Sequence, residues 1–337
     1  MTLAFVTGVA GTVLTDDERR FLADARPWGM ILFRRNVESP DQLRALTAEF
    51  RSIVGWEAPV LVDQEGGRVQ RLTAPNWRKY PSARRLAEAA SGDLALMRDT
   101  ARLMAEDLRA AGITVDCMPN LDLGFPGQSE VVGDRAYAGD PAKVAAHGRA
   151  VADGLLAGGV LPVIKHIPGH GRATVDSHHA LPVVTAPLAD LEAADFAPFL
   201  ALADLPAAMT AHVVYTALDP DWPATQSSVV IGEIIRGLIG FQGLLFSDDL
   251  SMNALTGSLG ERAGFCLRAG CDIALHCNGI LAEMEQVAAA APELSGMALA
   301  RAERALSFVR PPDTVDVAAI NVRLDAALAA FDAGTSI

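Results

Sequence analysis

The stretch DPAKVAAHGRAVADGLLAGGVLPVIKH (residues 140–166) contains one complete helix-to-strand unit and shows how the chain is built. Asp140-Pro141 is a typical helix start, because proline sacrifices no hydrogen bond at the first helical position. Apolar residues recur at helical spacing until Gly158-Gly159, and glycine commonly follows the last residue of a helix. The apolar run Leu161–Lys165 then predicts a buried strand that ends in the polar pair Lys165-His166.

The same unit recurs along the chain, since short apolar runs alternate with helix-like sequence. The predicted strands are Leu3–Thr7, Gly29–Phe33, Pro59–Asp63, Ile113–Cys117, Leu161–Lys165, Ala207–Ala211, Leu244–Ser247 and Asp272–His276. Eight strands, each followed by helix-like sequence, predict an α/β fold of the (β/α)8 TIM-barrel type. A doubly wound open sheet is the alternative, because a local pattern does not distinguish a closed sheet from an open one.

Capping signals mark further helix starts at a capping box, Thr15-Asp-Asp-Glu18, at Ser39-Pro40, and at Ser228 before a run of apolar residues. No linker or repeat divides the sequence, so we expect one domain over residues 1–337. Its barrel core covers about residues 1–292. The alanine-rich sequence beyond it predicts C-terminal helices over about residues 293–333 that pack outside the barrel.

Composition limits the classes of protein to which the chain can belong. Half of the 337 residues are hydrophobic, which excludes a disordered chain. With 28 basic and 41 acidic residues, the net charge of −13 makes nucleic acid and anionic membranes poor partners. Four cysteines without a Cys-x-x-Cys pair fit a reducing compartment. No apolar run reaches the roughly 18 residues of a membrane span, and the N-terminus lacks signal-peptide features, so we expect a cytoplasmic protein.

Polar residues collect where the predicted strands end. The apolar runs end in Asp63-Gln64-Glu65, Lys165-His166, Thr210-Ala211-His212 and Ser247-Asp248-Asp249. Burying such groups without partners costs free energy, so a strand interior does not favour them. Active sites of barrels lie at the C-terminal ends of the strands, and these residues therefore predict a site there.

The segment Lys165–His179 carries four of the seven histidines, and three interpretations of it stay open. His166 and His170 have the spacing of a helical metal site, but proline and glycine between them break a helix. The sequence Pro-Gly-His-Gly is compatible with a phosphate-binding loop. In the third interpretation, the Asp176 carboxylate orients the ring of His178 and holds a proton on it more firmly, as acid–base catalysis requires.

The carboxylates at the other strand ends have structural alternatives as well. Asp248 or Asp249 can cap the helix that follows. Asp63, Arg68 and Arg71 can form surface ion pairs. Residue type alone does not decide between these roles and catalysis.

Taken together, five motifs resemble the bacterial β-N-acetylglucosaminidases of glycoside hydrolase family 3, most closely those that recycle cell-wall muropeptides. The motifs are Asp63-Gln-Glu-Gly-Gly-Arg-Val-Gln-Arg71, Gly133-Asp-Arg135, Lys165-His-Ile-Pro-Gly-His-Gly171, Asp176-Ser-His178 and Phe246-Ser-Asp-Asp-Leu-Ser-Met252. They follow in order from about Leu61 to Met252. Two departures stand out, since Ile167 replaces an aromatic residue and Arg172-Ala173 replaces more acidic or polar residues.

The resemblance assigns a role to each matching position. It makes Asp248 the nucleophile, His178 the general acid/base and Asp176 the residue that orients His178. It makes five residues the binding set for the terminal sugar: Asp63, Arg71, Arg135, Lys165 and His166. Glu65 is the reserve candidate for the acid and Asp249 for the nucleophile.

The expected function is that of a retaining exo-β-N-acetylglucosaminidase acting through a covalent glycosyl-enzyme. Its substrates would be muropeptides in which N-acetylglucosamine precedes anhydro-N-acetylmuramic acid. We expect a monomer with no cofactor and no metal. An imidazole suits the acid role because its ordinary pKa, near 6.5, is close to working pH. The alternatives are another family 3 β-glycosidase, such as a β-glucosidase, and a non-catalytic sugar-binding protein.

Overall fold

The structure is a computed structural model that describes residues 2–129, 132–177 and 179–335. Its strands are β1 (Leu3–Thr7), β2 (Pro27–Leu32), β3 (Val60–Val62), β4 (Val115–Asp116), β5 (Leu161–Pro162), β6 (Ile164–Ile167), β7 (Val183–Val184), β8 (Ala207–Thr210), β9 (Val214–Tyr215), β10 (Leu244–Asp249) and β11 (Ile273–His276). The main sheet has the strand order β5-β4-β3-β2-β1-β11-β10-β8-β6, and each pairing in it is parallel. β7 and β9 form a separate parallel pair.

The main sheet closes on itself through Val163. This residue alone separates β5 from β6, which stand at the two ends of the strand order. The amide of Val163 donates to the carbonyl of Asp116, at 3.0 Å, and Ile164 of β6 pairs with Ala208 of β8. With β5 and β6 counted as one interrupted strand, the eight predicted strands form a closed (β/α)8 barrel. The prediction of the fold is confirmed, and the open sheet is excluded.

The helices that surround the barrel follow the predicted capping signals closely. They are α1 (Asp16–Ala25), α2 (Pro40–Val54), α3 (Ala83–Ala90), α4 (Leu94–Ala110), α5 (Pro141–Ala157), α6 (Leu188–Asp190), α7 (Ala197–Ala201), α8 (Leu259–Ala269), α9 (Leu281–Ala290), α10 (Gly296–Leu306) and α11 (Val317–Thr335). Short 3-10 helices occupy Arg34–Asn36, Gly133–Arg135 and Ala224–Gln226, and π-helices occupy Leu191–Asp195 and Val230–Leu238. The Thr15 capping box is present as predicted. Ser227, one residue before the predicted Ser228, accepts the hydrogen bond from the amide of Val230.

Two hydrophobic cores result from the alternation of side chains along the strands. Val6, Leu61 and Phe246 belong to the inner core of the barrel. Phe5 and Leu245, which neighbour them in sequence, belong to the core between the sheet and the helices. Because both faces of the sheet are buried, the strands read as nearly continuous apolar runs.

The two terminal helices, α10 and α11, pack against different parts of the barrel. Helix α11 lies against α3 and α4 and buries Leu324 completely. Helix α10 also lies outside the strands, and its Ala302 and Ala305 pack against the inner core, in the same cluster of buried residues as Trp28. This helix covers the N-terminal end of the barrel, where an open sheet end would leave apolar residues in water. Within residues 2–129, 132–177 and 179–335, no helix has both the length and the apolar character of a membrane span.

Candidate active site

The polar strand ends converge on one pocket at the C-terminal end of the barrel. Its volume is about 340 Å³, within the usual range for small-molecule sites. Seven of the predicted site residues line it: Asp63, Arg71, Arg135, Lys165, His166, Asp176 and Asp248. Apolar side chains that the sequence analysis did not identify complete the wall: Ile31, Phe33, Met209, Met252 and Leu275.

A network of two carboxylates and three cations, Asp63, Glu65, Arg71, Arg135 and Lys165, forms one side of the pocket. The Lys165 Nζ lies 2.8 Å from Asp63 Oδ1 and 2.6 Å from Glu65 Oε1. Arg71 donates to Asp63 Oδ2 at 3.0 Å. Arg135 donates two hydrogen bonds of 2.8 Å to Glu65, in the fork geometry that only arginine provides.

Both carboxylates of this network are ionised at neutral pH. Burial opposes the ionisation of Asp63, but Lys165 and Arg71 outweigh it and hold the pKa of Asp63 well below its ordinary value. Burial also opposes the ionisation of Glu65, while Arg135 and Lys165 lower the pKa of that carboxyl to about 2. Glu65 therefore has no proton to give near neutral pH, which argues against its reserve role as the acid.

His166 stands between two carboxylates. Its Nδ1 lies 2.7 Å from Asp122 Oδ2, and its Nε2 lies 4.0 Å from Asp248 Oδ2. Burial raises the pKa of Asp122, but His166 outweighs this effect and the pKa falls to about 2. Because the Asp122 carboxylate can only accept, His166 carries a proton on Nδ1 and turns Nε2 towards the pocket.

Asp122 is a site residue that the sequence analysis missed. It is fully buried, lines the pocket, and accepts from the backbone amides of His166 and His170 at 3.2 and 2.7 Å. The available signal was the polar sequence Asn120-Leu-Asp122 just beyond the fourth predicted strand. Asp122 lies six positions beyond Asp116, the last residue of β4, so a search for polar residues directly at strand ends does not identify it.

Asp248 and Asp249 are adjacent at the end of β10 but differ in what they contact. Both line the pocket, and the Oδ1 of Asp248 accepts from the backbone amide of Asp249 at 2.8 Å. Burial opposes the ionisation of Asp248, but His166 in particular lowers its pKa below the ordinary value, so Asp248 is a carboxylate. Asp249 accepts from the amide and hydroxyl of Ser251 and from the amide of Cys277. These bonds commit the Asp249 carboxylate to holding the loop.

His212, also at a polar strand end, supports the end of β10. It is fully buried, with Nδ1 2.7 Å from the hydroxyl of Thr225 and Nε2 2.9 Å from the carbonyl of Asp249. Both ring nitrogens are thus occupied, by Thr225 and by Asp249. His212 holds the strand that carries Asp248.

The loop after β6 brings Asp176 and Ser177 to the pocket. The carbonyl of Ser177 accepts from the amide of Ala254, which ties this part of the loop to the segment after β10. His178, to which the sequence analysis assigned the acid/base role, lies outside the described residues. His170 lines the pocket, and burial lowers its pKa to about 4, so its ring is neutral near neutral pH.

The geometry of the pocket gives little support to the metal-binding and phosphate-binding interpretations of this segment. The ring centres of His166 and His170 lie 5.8 Å apart. Among the described residues, no three His, Cys, Asp or Glu side chains group in a way that could hold a metal ion. A charged network beside the ionised Asp248 suits a polyhydroxylated ligand instead, because hydroxyls both donate to carboxylates and accept from cations.

Known proteins resemble the chain over nearly its whole length. The model of the glycosyl hydrolase family 3 N-terminal domain matches residues 6–308. A β-hexosaminidase of Alkalilimnicola ehrlichii is 44% identical over 279 residues, which are 80% of this chain and 79% of that protein. A β-hexosaminidase of Chromobacterium violaceum is 41% identical over 313 residues, 90% of this chain and 87% of that protein.

Solved structures give the same picture. NagZ from Neisseria gonorrhoeae, in complex with N-trifluoroacetyl-D-glucosamine, is 34% identical with a TM-score of 0.83, covering 97% of this chain and 96% of that one. A family 3 β-N-acetylglucosaminidase from Paenibacillus sp. is 31% identical with a TM-score of 0.81. There the match covers 98% of this chain but 62% of the other protein.

Proposed function

Because this chain belongs to glycosyl hydrolase family 3 and is a glycoside hydrolase, we propose that it is a retaining exo-β-N-acetylglucosaminidase. The observation that carries the proposal is the pocket itself, in which the ionised Asp248 faces a network of buried charges. The relatives named β-hexosaminidase support the sugar, and so does the N-acetylglucosamine analogue bound by the Neisseria protein.

Catalysis would proceed by two displacements at the anomeric carbon of the terminal sugar. In the first, Asp248 attacks that carbon while His178 gives its proton to the departing glycosidic oxygen, leaving a covalent glycosyl-enzyme. In the second, His178 takes a proton from water, the water oxygen attacks the anomeric carbon, and the bond to Asp248 breaks. Two inversions retain the configuration. Asp176 would orient the His178 ring and stabilise its charged form.

The charged network would bind the non-reducing sugar. Asp63 keeps an accepting carboxylate beside Lys165 and Arg71, so it can accept from sugar hydroxyls while the cations donate to them. Arg135, held by Glu65, would add donors of fixed direction, and His166, held by Asp122, would present its Nε2 to the sugar in a fixed orientation. A site built of paired charges rejects ligands that lack the matching hydroxyls, because its own groups would remain unpaired.

The natural substrate would be a muropeptide that carries N-acetylglucosamine on anhydro-N-acetylmuramic acid. We propose that the protein acts on it as a monomer in the cytoplasm, without a cofactor. This part rests on the motif resemblance rather than on the pocket. Release of N-acetylglucosamine from such a muropeptide, followed by mass spectrometry, tests it directly.

A comparison of two aryl glycosides tests the sugar specificity. We expect faster hydrolysis of the aryl β-N-acetylglucosaminide than of the aryl β-glucoside. The opposite preference would favour the β-glucosidase alternative, and no hydrolysis of either would favour a sugar-binding protein.

Replacement of His178 tests the mechanism. A sugar alkoxide must be protonated as it leaves, whereas a dinitrophenolate leaves without help. His178→Ala should therefore slow hydrolysis of a disaccharide by roughly 10²–10⁴-fold, and formation of the glycosyl-enzyme from the dinitrophenyl glycoside far less. Azide should restore turnover with retained configuration. His179→Ala is the matched control and should behave as the parent, and equal losses on both substrates in His178→Ala would make His178 a binding residue.

A further inference from the structure

The loop segment that leads from β6 to Asp176 is fastened to its surroundings at several backbone positions. The hydroxyl of Tyr215 donates to the carbonyl of Gly169 at 2.6 Å, and the amide of Ser129 donates to the carbonyl of Ala173 at 3.0 Å. Gly169 lies directly against Asp195, since a Cβ at Gly169 would come within 3.0 Å of the Asp195 Cβ. These contacts hold residues 169–173 from two sides.

The side chain of Arg172 makes two contacts from this segment. Its Nε donates to Asp195 Oδ2 at 2.6 Å, and its guanidinium carbon lies 4.6 Å from the centre of the Phe125 ring. It thereby links the loop to the π-helix Leu191–Asp195 on one side and to the segment after β4 on the other. Arg172 is also one of the positions at which the sequence departs from the motif pattern described above.

Asp195, the carboxylate that pairs with Arg172, is buried. Its side chain is 1% exposed, and its Oδ1 has no hydrogen-bond partner among the described residues. Burial raises the pKa of Asp195 to about 6, against the opposing effect of Arg172. A carboxylate buried in this way depends on its cation, so the pair constrains Arg172 far more than an exposed pair would.

We propose that Arg172 is a positioning residue, which fixes residues 169–177 through Asp195 and Phe125 and so sets Asp176 at the pocket. The inference rests on the proposed function only in assigning acid–base work to Asp176 and His178. Arg172 is not among the described residues that line the pocket, so it acts through the loop and does not bind the sugar.

Kinetics of Arg172→Ala and Arg172→Lys test the proposal. For a disaccharide, Arg172→Ala should lower kcat by about tenfold, a fraction of the full acid–base contribution, while KM changes by less than about twofold. Formation of the glycosyl-enzyme from the dinitrophenyl glycoside should change little. Arg172→Lys keeps the charge beside Asp195 and should recover part of kcat. Arg149→Ala, which removes a solvent-exposed pair with Asp204, is the matched control and should behave as the parent.

Amide hydrogen exchange supplies a readout that does not require activity. In Arg172→Ala, the amides of residues 169–173 should exchange about tenfold faster, while those of α5 should keep their parental rates. Parental exchange in the loop, or a loss of kcat that is equal for good and poor leaving groups, would overturn the proposal. Failure of the parent to cleave aryl β-N-acetylglucosaminide would instead refute the proposed function, and the exchange rates would still decide whether Arg172 fixes the loop.

Discussion

Replacing Glu65 by glutamine removes one buried charge and leaves the size of the side chain almost unchanged. Glu65 accepts two hydrogen bonds of 2.8 Å from Arg135 and lies 2.6 Å from the Lys165 Nζ, with a side chain that is 4% exposed. Breaking a buried ion pair typically costs about 3–5 kcal/mol. Lys165 keeps Asp63 as a partner and glutamine keeps one accepting oxygen, so we expect a loss of about 3 kcal/mol, at the low end of that range.

Urea unfolding measures this loss, which corresponds to a midpoint shift of about 1 M at a slope near 3 kcal/mol/M. Arg135 and Lys165 would also lose their fixed positions, so kcat/KM should fall by about 10–100-fold on good and poor leaving groups alike. Glu57→Gln is the control, because Glu57 is 95% exposed in a pair with Arg51. An unchanged unfolding free energy would refute the ion pairs as described, and a loss confined to the poor leaving group would make Glu65 the acid.

Further variants distinguish the roles of the other carboxylates near the pocket. Asp248→Ala should lose nearly all turnover, while its circular dichroism spectrum should match that of the parent because the fold is unchanged. In the parent, a mechanism-based fluorosugar should label Asp248. Labelling of Asp249 would reverse the two roles. Asp122→Asn removes the acceptor of His166 Nδ1 and should lower kcat/KM by about 10–100-fold, as expected for 1–3 kcal/mol, whereas parental kinetics would mean that other groups orient the ring. Burial raises the pKa of Asp116 to about 8, so the folded state holds a proton that the unfolded state releases near pH 4, and stability falls as pH rises between these values. Urea unfolding should therefore show Asp116→Asn gaining stability relative to the parent between pH 5 and 8, and parallel pH curves would contradict the assignment.

The barrel could be predicted because each of its strands is a short apolar run bounded by turn or helix signals. Buried parallel strands need no polar face, so the pattern is strong and the predicted strand positions agree with the structure within a few residues. The place of α10 could not be predicted in the same way. An alanine-rich amphipathic helix shows which of its faces is buried, but Ala302 and Ala305 do not reveal which surface they cover.

Position in the sequence identifies the charges directly after an apolar run, whereas Arg135 and Asp176 are identified by the motif resemblance. Asp122 lies farther along its loop, and its role depends on the fold bringing it to His166 across 44 residues of sequence. The apolar wall of Phe33, Met209 and Met252 has no sequence signal of its own, because these residues resemble any others of the core.

The alternation of side chains along a strand is a further criterion for deciding which charged residues at a strand end face the pocket. Leu244 and Phe246 belong to the inner core of the barrel, and Leu245 belongs to the outer one. Because successive side chains point to opposite faces, the count from Phe246 places Asp248 with the inner set, but the register of β10 against β11 shifts between Phe246 and Asp249. The same count from Leu61 turns Asp63 inwards. Once a closed barrel is assumed, alternation therefore assigns Asp63 to the pocket. At the irregular end of β10 both Asp248 and Asp249 reach the pocket, and the bonds from Ser251 and Cys277 to Asp249 are what distinguish the two carboxylates.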